Sequence, residues 1–249
     1  MPTTANNKRK YNYIWVSLVI LIFGIIFVPK IVDRLAKGDV VRDERSAAAI
    51  PSGELTYIEN KQTGEKRKVP SFSFINQDSV RVSNEDYLGK VYVVDFFFTT
   101  CPTICPVMTK NLVELQQTFT DNDDFGVASF TINPRYDTPS ILKKYAKKNG
   151  IVDKDWHLLT GDQEEIYRLA EEGFYIVASE AEDAPGGFEH SGMFALVDRE
   201  GYIRSRKDRH GNPIIYYRGT VTEEQGVNAE GEEEQISLLK QDIKKLLQE

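Results

Sequence analysis

Residues 91–98, VYVVDFFF, constrain this chain more than any other stretch. They are β-branched or aromatic at nearly every position, with no polar alternation. A strand of that kind must be buried on both faces, as in a parallel sheet covered by helices. The downstream segments suit such a sheet. PVMTKNLVELQQTF has helical spacing, with Met108, Leu112, Leu115 and Phe119 on one side. FGVASFTI is a second strand, and TPSILKKYAKKNG a helix with Thr138 at its N-cap, Pro139 in its first turn and Gly150 past its end. WHLLT is a short strand and DQEEIYRLAEEG a helix that Asp162 can cap. FYIVAS and MFALVDREGYIRSR supply further strands, the latter a hairpin turning at 199–201, and QISLLKQDIKKLLQE closes the chain as an amphipathic helix. Strands alternating with helices through short links predict an α/β architecture.

In such sheets ligands gather at the carboxyl ends of the strands. At one such end VYVVDFFF runs through two threonines into CPTIC, which holds the only two cysteines of the 249 residues, Cys101 and Cys105. A loop entering a helix N-terminus offers partial positive charge and unpaired N–H groups, which favour thiolates over thiols. The pair has three intervening residues rather than the two of the usual dithiol signature. If the local chain is helical, the sulfurs lie about one turn apart. They can close a disulfide or clamp a soft ion. Two sulfurs suit Cu(I), and an added imidazole lets Cu(II) be taken.

Three histidines are available. His157, beside Trp156, reads as structural or surface, and His210 in RKDRHGNP as a solvated loop residue. His190 ends the glycine-rich loop in GGFEHSGMFALVD, just before a strand. On spacing alone it reads more readily as a loop histidine than as a ligand. Asp95, inside the first strand, reads as an internal acid, structural before functional.

The amino-terminal part reads differently. Lys8, Arg9 and Lys10 precede an uncharged run from Tyr13 to Val28, extended by Ile31 and Val32. That is close to the ~20 residues a helix needs to cross a hydrocarbon core. Tyr11, Tyr13 and Trp15 sit where an interfacial aromatic belt would lie. The expected organisation is a short cytoplasmic segment over 1–12, a transmembrane anchor over 13–32, a tether over 33–65 and a globular domain over 66–249. The flanking basic residues place the N-terminus in the cytoplasm and the globule on the outer, periplasmic side of the cytoplasmic membrane, where disulfides are permitted. The net charge is −7, with no basic face interleaved with aromatics, so nucleic acid is excluded as a partner class.

Taken in order and spacing, DFFFTTCPTICPVMTKNL, FTINPRYDTPSILKKYAKKNG, WHLLTGDQEEIYRLAEEGFYI and HSGMFALVDREGYI resemble the Sco/SenC proteins over roughly residues 70–206. The resemblance implies a thioredoxin-like fold, a central β-sheet flanked by helices, and one copper ion held by Cys101, Cys105 and His190. It implies a metallochaperone that helps assemble the dinuclear copper centre of cytochrome c oxidase. Such a protein donates copper, reduces the oxidase cysteines through the Cys101–Cys105 redox pair, or does both. Its partners would be the copper-centre subunit of the oxidase and another copper chaperone or a thiol reductant. Two positions depart from the family pattern: Thr103 stands where an Asp is common after C-P, and Asn133 replaces an acid in TINP. Residues 207–235 match nothing in it. The competing classes are a membrane-tethered thiol–disulfide oxidoreductase without copper, a peroxide-reducing enzyme and a purely structural disulfide.

Overall fold

The computed structural model describes residues 15–23, 25, 27, 29, 53–60, 63–176, 178–181, 185–207 and 212–249, without the side chains of 189 and 190. Two compact units result, Met1–Ile50 and Pro51–Glu249. In the first, the described residues are helical. Among the described residues no helix is long and apolar enough to cross a membrane. The remainder of the expected 13–32 anchor, and the tether as far as residue 52, lie outside them.

The second unit begins ahead of the expected boundary at residue 66. Strand β1 (Leu55–Tyr57) lies inside the expected tether, yet it pairs antiparallel with β10 (Ile203–Arg206). Three residues are too few to show a period in sequence. The chain then runs through β2 (Ser73–Asn76), β3 (Arg81–Ser83), β4 (Val91–Phe97), helix α1 (Cys105–Thr118), β5 (Phe125–Thr131), α2 (Pro139–Asn149), β6 (Trp156–Thr160) and α3 (Gln163–Arg168). It continues through β7 (Ala178–Glu180), β8 (Phe188–His190), β9 (Met193–Val197), β10, β11 (Tyr217–Arg218) and α4 (Ile236–Leu246). The main sheet has the order β1-β10-β9-β4-β5-β6-β2-β3, with β11 added to β9. Its centre, β4, β5 and β6, is parallel, and every residue of β4 and β5 is buried. The expected α/β class, a central sheet flanked by helices, is what the structure has.

The strand pleat sends neighbouring residues to opposite faces. Phe96 meets Phe130 and Phe174 on one face, while Phe97 meets Tyr145 of α2 on the other. The helix signals act as read. Asp162 Oδ1 accepts the Glu165 N–H at 3.0 Å, and Gly150 ends α2 at φ 74°. Thr138 sits at the N-cap of α2 without a side-chain bond to the backbone.

Candidate metal centre

Cys105 is the first residue of α1 and Pro106 the second, so the proline removes an N–H that the helix could not have used. Cys101 lies in the loop between β4 and α1. The two cysteines are not joined by a disulfide. Their side chains are hydrogen-bonded to each other, and this bond is the first cause that pushes the Cys105 pKa up. Burial adds to it, as does the charge of Cys101. The helix N-terminus therefore does not lower both thiols, as the sequence suggests it should. Of the two, Cys105 is the thiol whose proton the site holds more firmly than a free cysteine would. Cys101 also lies 3.6 Å from the Thr103 hydroxyl, the residue that stands where an acid is common.

The loop before Cys101 is clamped. Asp137, fully buried, accepts the Thr99 N–H at 3.0 Å and the Thr99 and Thr131 hydroxyls, the latter at 2.5 Å. This acid belongs to DTP, part of the stretch that carries the family resemblance, but spacing gives it no tie to the cysteine loop. Beneath the cysteines, Asp95 is buried and accepts the Ser129 hydroxyl at 2.5 Å; that hydroxyl in turn accepts the Trp156 Nε1–H at 3.0 Å. Burial raises the Asp95 carboxyl to about 7, with the Ser129 bond acting against it. Its charge is felt at Cys105 and at Tyr145, whose hydroxyl is 2.6 Å from that of Thr109 in α1. Asp95 thus belongs to the surroundings of the cysteine pair.

His190 closes β8, which pairs with β7 through Ala178↔His190. The segment that carries it lies against the cysteine loop on both sides. Before it, the Phe188 ring packs at a tilt against Phe98, with centroids 5.1 Å apart. Gly186, at φ 81°, approaches so closely that a Cβ there would sit 2.8 Å from the Phe98 ring and 3.2 Å from Pro102. After it, a Cβ on Gly192 would lie 3.4 Å from Ile104 Cδ1. Gly186 is therefore what lets this loop come so close to the cysteine loop. The other histidines fall elsewhere. His157, on β6, is 3.2 Å from Asn76 Nδ2 and edge-on to Tyr87, with its pKa lowered by burial. His210 lies outside the described residues. Among the described residues no three His, Cys, Asp or Glu side chains form a metal-sized group; the His190 side chain is not one of those described.

The SCO1/SenC family pattern matches residues 60–222. This chain belongs to the SCO1/SenC family. It is similar to the SCO1 protein homolog of Bacillus subtilis (strain 168), at 36% identity over 146 residues, 58% of this chain and 74% of that one. Among solved structures it resembles BsSco, described as a member of the Sco family of cytochrome c oxidase assembly proteins with a disulfide switch. That likeness has 31% identity and a TM-score of 0.57, covering 73% of this chain and 94% of that one. ScoI of Bradyrhizobium japonicum, solved with copper bound, shares the fold at 20% identity and a TM-score of 0.54, over 72% of this chain and 99% of that one. The thioredoxin-like fold expected from the family resemblance agrees with these neighbours.

Proposed function

We propose that this SCO1/SenC chain is a membrane-anchored carrier that takes copper, as Cu(I) or Cu(II), on Cys101, Cys105 and His190 and serves assembly of the dinuclear copper centre of cytochrome c oxidase. The observation that carries the reading is the contact between two segments distant in sequence. The loop holding His190 rests on Phe98, Pro102 and Ile104, which surround the cysteine pair. The donor chemistry fits a soft cation. Two sulfurs already meet, and the Cys101–Cys105 proton must leave when both coordinate. Copper is the cargo here, passed on when a cysteine of the oxidase copper subunit replaces one of the three ligands. The residues before Pro51 hold the domain at the outer face of the membrane.

The hydrogen-bonded dithiol also supports thiol–disulfide exchange. The Cys101 sulfur attacks a disulfide of the partner and forms a mixed disulfide. Cys105 then loses its proton and attacks Cys101, leaving Cys101–Cys105 oxidised and the partner reduced by two electrons. A separate thiol reductant would restore the pair.

Anaerobic titration of the full-length, reduced chain in detergent with Cu(I) tests the copper reading. One copper per chain is expected, bound at least about tenfold more weakly after His190→Ala. Wild-type affinity in that variant overturns the ligand set. Absence of binding in the unaltered chain leaves the thiol–disulfide reading alone.

A further inference from the structure

We infer that Asn111 is a positioning residue for copper binding, holding the His190 segment at a set distance from the cysteine helix. This inference rests on the copper reading above. Asn111 lies on α1, the helix that Cys105 begins, and is fully buried. Its Nδ2 donates to the carbonyls of Gly219 at 2.9 Å and Val221 at 3.1 Å. The Gly219 N–H donates in turn to the carbonyl of Gly192 at 2.7 Å. Gly192 stands two places beyond His190. Just past it, β11 pairs with β9 through Arg218↔Met193 and Tyr217↔Phe194. A single line of hydrogen bonds therefore joins the cysteine helix to the histidine loop.

The packing leaves this line little slack. A Cβ on Gly192 would lie 2.1 Å from the Thr220 methyl, and one on Gly219 would lie 2.6 Å from the Phe194 ring. At each position the side chain across from it fills the space a Cβ would need. Asn111 also keeps an Oδ1 that is buried with no partner among the described residues. An apolar residue of similar size would avoid that unmet acceptor. What only the amide supplies is a pair of donors aimed at two carbonyls of one segment. The segment they hold, 219–221, lies at the end of the stretch that the SCO1/SenC pattern matches. It braces the third ligand against the first two.

The full-length chain in detergent, titrated anaerobically with Cu(I) alone, tests this. Asn111→Leu should lower copper affinity about tenfold or more, the range for residues that orient a ligand. On a His190→Ala background the same substitution should change nothing further, because the ligand it positions is gone. Gly192→Ala breaks the line from its other end without altering α1, and should show the same non-additive pattern. Wild-type affinity in both variants, or an equal fold-loss with and without His190, overturns the proposal. If His190→Ala itself binds copper like the unaltered chain, the ligand set falls. Hydrogen exchange in the metal-free protein then decides the role of Asn111. Exchange at the Gly219 amide about tenfold faster in Asn111→Leu, with β4 and β5 amides unchanged, shows that it holds the loop; an unchanged rate shows that it does not.

Discussion

The Ser129 hydroxyl donates to the Asp95 carboxylate at 2.5 Å across two neighbouring parallel strands, β5 and β4, inside the core. One neutral hydrogen bond does not replace the water that burial removes, so the carboxyl rises from 3.8 to about 7. The unfolded chain ionises Asp95 near pH 4, whereas the folded chain resists until pH 7. Its stabilising share is therefore complete below about pH 4 and lost as pH rises to about 7. At ~1.4 kcal/mol per pH unit the loss is on the order of 4 kcal/mol. Urea unfolding of the reduced, metal-free chain at pH 4 and pH 8 should show Asp95→Asn gaining on the unaltered chain by that order at pH 8 and by little at pH 4. Parallel pH profiles for the two proteins would remove this account.

Reactivity should divide the cysteine pair unequally. Cys101 is 7% exposed, while Cys105 is 1% exposed and has its pKa pushed up by the bond to Cys101 and by burial. Attack requires a thiolate that solvent can reach. A short pulse of iodoacetamide at pH 8 should label Cys101 at least about tenfold faster. Both residues fall in one tryptic peptide, and fragment-ion spectra locate the label. Faster labelling of Cys105 would reverse the assigned order.

Much of this arrangement is legible before folding. VYVVDFFF and FGVASFTI reveal the parallel centre because burial on both faces leaves no polar position, and Met108, Leu112 and Leu115 mark the buried side of α1. The cysteine pair is visible as a motif. His190 is not visible from spacing. What brings the loop that carries it against the cysteine loop is a pair of three-residue strands and the close approach of Gly186, neither of which has a period. β1 and β11 escape for the same reason. Asp137 is hidden because an acid before Thr-Pro reads as a helix entrance, whereas its partners, Thr99 and Thr131, come from two strand ends. Asp242 does leave a signal, since it interrupts the apolar stripe of Leu239, Ile243 and Leu246 on α4.

Asp137 should prove costly to remove. Asp137→Ala strands the half-buried Thr99 N–H and hydroxyl and the buried Thr131 hydroxyl. Each unmet polar group costs about 1–3 kcal/mol, so a loss of about 3 kcal/mol or more is expected in urea unfolding. On a Thr99→Val, Thr131→Val background the same substitution should cost clearly less, since two of the three donors are already absent. A loss under about 1 kcal/mol in the otherwise unaltered chain would contradict the clamp.

The closing helix is tied to the sheet by a buried charge pair, and losing one partner should cost more than replacing both. Asp242, fully buried on α4, accepts Arg206 Nε at 2.5 Å and the Tyr217 hydroxyl at 2.8 Å. Arg206 lies on β10 and Tyr217 on β11, so one carboxylate gathers a strand near the sheet edge, a two-residue strand and a helix. Asp242→Ala leaves a guanidinium buried without its counter-charge, and a loss of about 3–5 kcal/mol is expected. Replacing both ends with apolar residues of similar volume, Arg206→Met with Asp242→Leu, removes the orphan as well as the bond, and should recover most of that loss. Thermal unfolding of the single and double variants measures both. If the double variant is no more stable than the single, the pair contributes through its geometry, by setting where α4 and β11 meet, and the desolvation argument fails.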